Sequence, residues 1–119
     1  MASSLDLAGR SILVVEDEPL IRLDLTGWLQ DAGATVFAAA RLDRALDLAG
    51  HPHISAGVLD FDLGTADSTP VCWKLVDRGI PFVFHTGLVY SAFRQWPDAP
   101  VILKPSTRSL IGAVAGLFR

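Results

Sequence analysis

Several things are scarce in this sequence, and each shortage excludes something. One cysteine, Cys72, stands among 119 residues. A disulfide framework is therefore ruled out, and a reduced, cytoplasmic setting fits. No apolar run approaches the ~20 residues that a membrane-spanning helix needs. The first ten residues carry Asp6 and no apolar stretch, so a signal peptide is not expected. Lysines are only two, Lys74 and Lys104, and the arginines are scattered along a chain of net charge −3. Without a basic stripe, direct binding of nucleic acid is not expected. Internal repeats and low-complexity tracts are also missing. What remains is half hydrophobic, with three Trp and six Phe, which argues for a packed core rather than disorder. The length fits one domain over residues 1–119, with no output domain and no second core.

Apolar runs alternate with amphipathic stretches five times, the pattern of βα units and a parallel sheet. Strands are expected at 11–15, 34–38, 56–60, 81–85 and 99–103. Helices are expected at about 19–31, 43–49 and 70–78, with a last one ending near Phe118. Pro19 suits a first helical turn, Gly33 and Gly79 suit helix ends, and Ser106 suits an N-cap. The stretch between the fourth and fifth strands is too short for a full helix with its loops. One or two turns near 90–95 are expected there.

Four of the five strands end in groups that carry chemistry. The first ends in Glu16-Asp17, the third in Asp60, the fourth in Thr86 and the fifth in Lys104. In an open α/β sheet such groups meet beyond the carboxyl ends of the strands. Glu16, Asp17 and Asp60, with the Phe61 carbonyl, form an oxygen-rich set suited to Mg²⁺. Asp60 then suits nucleophilic attack on a phosphoryl group, and Thr86 and Lys104 suit its remaining oxygens. Each group alone has an ordinary structural reading. The acids 16–18 could favour a helix start, Asp60 could be a loop acid, and Thr86 and Lys104 could sit at plain strand ends. Their order at four strand ends favours function. His85 is expected to bond backbone, and His51 and His53 to lie on a remote loop without a metal. Asp62 and Leu88 flank the pocket.

These residues resemble the receiver domain of bacterial response regulators. The resemblance rests on Ile12-Leu13-Val14-Val15-Glu16-Asp17-Glu18, Val58-Leu59-Asp60, Phe84-His85-Thr86-Gly87 and Leu103-Lys104-Pro105. It implies a flavodoxin-like, doubly wound five-stranded parallel sheet in the order 2-1-3-4-5, with a shortened fourth helix. It also implies Mg²⁺ and a phosphoryl group received on Asp60 from a histidine kinase or a histidine phosphotransfer protein. Thr86 would be the switch hydroxyl, and output would be contact with a downstream protein, as monomer or weak dimer. Val101 stands where the family usually has a switch aromatic. With the run Phe84-His85-Thr86-Gly87-Leu88-Val89, this is similar to the stand-alone FATGUY group of alphaproteobacteria. Tyr90 and Phe93 are the aromatics that could substitute. Leu20 and Leu23 lie off the core face of the first helix and are expected partner contacts.

Two other classes are weighed. A degenerate receiver-like binding module would keep the fold without phosphorylation, as Val101 encourages. An aspartate-nucleophile phosphatase is faintly matched by Asp60-Phe61-Asp62, but no acid follows Lys104 to hold its metal.

Overall fold

The computed structural model describes residues 6–88, 90–104 and 108–119. Five parallel strands form one sheet in the order β2-β1-β3-β4-β5. They are β1 (Ser11–Val15), β2 (Thr35–Ala39), β3 (Ala56–Leu59), β4 (Phe82–Thr86) and β5 (Val101–Leu103). Four α-helices connect and cover them: α1 (Pro19–Asp31), α2 (Leu42–Ala49), α3 (Thr69–Asp77) and α4 (Arg108–Gly116). This is the flavodoxin-like arrangement, in which the strand order reverses between β1 and β3 while every strand runs parallel.

Strand pleating sorts the core into two layers. Leu13, Val15, Leu59, Phe82 and Phe84 face α2 and α3. Ile12, Val14, Val58 and Val83 face α1 and α4, where Leu25, Leu29, Leu110 and Val114 meet them. The central strands are buried on both faces, which explains their unbroken apolar runs. Leu7, before the first strand, is also fully buried, and its N–H bonds the Ala32 carbonyl at 2.8 Å. Gly33 completes that close approach. Its φ is +100°, and an added Cβ would lie 3.0 Å from the Ala8 backbone.

Helix α1 starts and ends where the sequence places it. Pro19 occupies the first turn, and the Glu18 side chain accepts the Leu20 N–H as its cap. Strands β2 and β4 each start one residue later than expected, at Thr35 and Phe82. β5 begins at Val101 rather than Ala99, and α4 ends at Gly116 rather than Phe118. On α2, Leu48 is buried with Ala45 and Ala49, whereas Leu46 is only partly covered. The 90–95 region is a 3-10 turn, Ser91–Gln95. Ser106, expected as a cap, lies outside the described residues, as do Val89 and Pro105. Among the described residues no helix is long and apolar enough to cross a membrane.

That 3-10 turn is short, yet it closes the core. Phe93 stacks on Phe84 with ring centroids 4.3 Å apart. Trp96 packs against Phe82, Phe84 and Trp73. Phe93 and Trp96 are buried, so they fill the space a longer helix would occupy and offer no exposed patch. Tyr90, before the turn, lies against Phe61 with centroids 5.1 Å apart.

Candidate functional site

The strand ends converge as the alternation of the sequence predicts. Glu16 follows β1, Asp60 follows β3, Thr86 ends β4 and Lys104 follows β5. The Asp60 N–H extends the sheet ladder to the Val15 carbonyl at 2.8 Å. Oxygen atoms of Glu16, Asp17 and Asp60 all lie within 4.8 Å of one another. Glu16 and Asp60 are buried, and Asp17 is exposed at the mouth. A cavity of about 290 Å³ opens there, lined by Asp17, Asp60, Asp62, Thr86, Gly87 and Tyr90.

Lys104 ties the acids together. Its Nζ donates to Asp60 Oδ2 at 2.8 Å and lies 2.6 Å from Glu16 Oε1. Lys104 is thus paired with both buried carboxylates. Burial pushes the Glu16 carboxyl up to about 7, with Asp60 adding to the rise and Lys104 opposing it. Burial also works against the Lys104 ammonium, but its two carboxylate partners outweigh this and raise its pKa. The arrangement matches the donor set of a hard divalent cation, since clustered carboxylates with a single ammonium leave net negative charge.

The neighbours hold this cluster in place. The Glu18 N–H donates to Glu16 Oε2 at 3.2 Å, and Arg22 donates to the Glu16 carbonyl at 3.0 Å. Of the acids 16–18, Glu18 therefore takes the helix-capping role, while Glu16 turns into the site. Asp62 is exposed and accepts the Gly64 N–H at 2.9 Å. The Phe61 carbonyl accepts the Ser68 N–H at 2.8 Å, and a cation there would have to share it. Ser68 itself was missed by sequence reasoning. It is fully buried, and its hydroxyl donates to the Asp60 carbonyl. Only its place beside the helix-starting Thr69-Pro70 could have marked it.

His85 departs from expectation. It is buried, yet among the described residues neither ring nitrogen has a partner. His51 and His53 lie on a loop at the opposite end of the strands, where the His51 Nδ1 accepts the His53 N–H at 3.1 Å. Leu20 and Leu23 are exposed, at 71% and 67%.

Solved structures with this fold are numerous. The chain is 38% identical to SdrG of Sphingomonas melonis Fr1, with a TM-score of 0.78 over 92% of this chain and 97% of that one. It is 27% identical to a response regulator receiver protein of Sinorhizobium medicae WSM419, with a TM-score of 0.82 over 92% and 94%. The chain has the fold of response regulator receiver domains. A third receiver, the response regulator TrrA of Thermotoga maritima, was solved in complex with Mg²⁺ and BeF. It is 25% identical, with a TM-score of 0.75 over 91% of this chain and 98% of that one. No family model and no curated protein matches the sequence.

Proposed function

We propose that this receiver, acting as one unit over residues 1–119, accepts a phosphoryl group on Asp60 and signals by protein contact. The observation that carries the proposal is the cluster itself: three carboxylates within 4.8 Å, two of them, Glu16 and Asp60, bridged by Lys104, at the mouth of a cavity lined by Thr86. Glu16, Asp17 and Asp60 would hold Mg²⁺, with the Phe61 carbonyl as a shared fourth oxygen. The ion supplies charge neutralisation for the incoming phosphoryl group. An Asp60 carboxylate oxygen attacks phosphorus, and the bond to the donor breaks with its electron pair leaving on the donor. Lys104 then shifts its hydrogen bond from the carboxylate to the phosphoryl oxygens, and Thr86 donates its hydroxyl to another. The donor is a histidine kinase or a histidine phosphotransfer protein. The chemistry is self-modification, with no turnover of a separate substrate.

The short 3-10 turn and Val101 support assignment to the stand-alone FATGUY-like type. Tyr90 is the aromatic that answers the phosphoryl group, since it borders the same cavity as Thr86, whereas Phe93 is committed to the core.

Incubation with Mg²⁺ and acetyl phosphate, followed by intact mass measurement, tests the proposal. Wild type should gain one phosphoryl mass, and Asp60→Asn or EDTA should abolish the gain. No adduct, under conditions that modify a control receiver, would instead favour a binding module that retains the fold alone.

A further inference from the structure

The strand register sets Asp60 between two buried neighbours. Val15 pairs Leu59, and Leu59 pairs Phe84. One residue further along, Glu16, Asp60 and His85 stand side by side across β1, β3 and β4. They share a face, since each lies two residues beyond Val14, Val58 and Val83 of the α1/α4 core. Directly neighbouring residues in a sheet are within side-chain reach. Lys104, two residues beyond Ile102 of the same layer, starts on the far side of β4. Its ammonium ends between Asp60 and Glu16, so its stem passes over the end of β4, where His85 lies.

A buried imidazole with no partner at either nitrogen among the described residues is unusual in a native fold and asks for a reason. Burial first, then the nearby Lys104 charge, pull its pKa down to about 4, against an opposing pull from Asp60. A neutral imidazole holds one acceptor nitrogen. The Lys104 ammonium, whose charge reaches the ring, has three donors, and these are directed at Asp60 and Glu16. Asp60 is also the group that must be freed for a cation and a phosphoryl group.

We propose that His85 is a positioning residue for Lys104, whose imidazole accepts the ammonium when a divalent cation draws the Asp60 and Glu16 carboxylates away. This rests on the phosphoacceptor reading and deepens it. The transfer keeps the lysine charge hydrogen-bonded inside the pocket and lowers the cost of releasing Asp60. Mg²⁺ binding and phosphoryl acceptance then both gain from the histidine.

The test compares wild type, His85→Phe and His85→Gln by calorimetric Mg²⁺ titration. Phe keeps the bulk without an acceptor, and Gln keeps an acceptor. Mg²⁺ affinity should fall about fivefold in His85→Phe, the size of one hydrogen bond, and recover to within about twofold in His85→Gln. Unchanged affinity in His85→Phe, or an equal loss in both variants, overturns the role, the latter leaving only packing. Ring ¹⁵N chemical shifts of His85 in the wild type need no variant. One nitrogen should move on Mg²⁺ addition as it gains the hydrogen bond, and static shifts overturn the proposal. A wild type that binds no Mg²⁺ at all sinks the phosphoacceptor reading together with this one, whereas Mg²⁺ binding without any response at His85 sinks this one alone.

Discussion

Glu16 and His85 pull the pH dependence of stability in opposite directions. The Glu16 carboxyl is raised from 4.5 to about 7 on folding, so the folded state binds more protons than the unfolded one in that window. Its contribution is fully present below 4.5 and is lost as pH rises through 7. His85 is lowered from 6.5 to about 4, so its contribution is present above 6.5 and lost as pH falls through 4. In EDTA the two slopes oppose between 4.5 and 6.5, and urea midpoints of the wild type should vary little there. His85→Phe should uncover the Glu16 slope, with stability falling steadily from pH 4.5 to 7 in urea titrations. A flat His85→Phe profile would mean that the Glu16 carboxyl is not raised. Lys104→Met acts on the same pair. It strands a buried carboxylate, costing up to about 3 kcal/mol above pH 7. The loss should shrink as pH drops and Glu16 takes up a proton, which equilibrium unfolding across pH 5 to 8 would detect.

At the level of elements, the 3-10 turn Ser91–Gln95 does the work of a helix with five residues. Phe93 carries most of that work through its stack on Phe84 and its edge contact with Phe61. Phe93→Ala should therefore cost about 3–5 kcal/mol by urea denaturation, although the residue lies on a short connection. Loss of under about 1 kcal/mol would show that the turn is loosely attached. Ser68→Ala should cost about 1–3 kcal/mol, because it leaves the buried Asp60 carbonyl without its donor. The parallel sheet, its strand-end acids and the boundaries of α1 were legible because short unbroken apolar runs ending in polar groups, and Pro19, write them directly into the sequence. The turn was legible only as a shortage of residues. Which of its aromatics go inward depends on the volume left beside Phe82 and Phe84, and no local pattern encodes that volume. Ser68 and the bare ring of His85 were hidden for a related reason. Hydrogen-bond partners belong to tertiary neighbours eight residues or a whole strand away.

Across the whole molecule, the cluster of acids and the exposed leucines are neighbours by construction. Helix α1 leaves β1 immediately after Glu16-Asp17, so its first turns rise beside the pocket mouth. Leu20 and Leu23 are exposed there, while Leu25 and Leu29 of the same helix are fully in the core. A partner carrying a phosphohistidine must bring phosphorus to Asp60 and so must cover this ground. A small phosphodonor need not touch it. Leu20→Glu should therefore leave modification by acetyl phosphate within about twofold of wild type and slow transfer from a phosphorylated partner about tenfold or more, the range of an interface residue worth over 1 kcal/mol. Both rates are readable by intact mass. Equal slowing of both would trace the effect to the pocket rather than to docking. Slowing of neither would remove α1 from the contact surface and turn attention to the loops beyond Asp60 and Thr86.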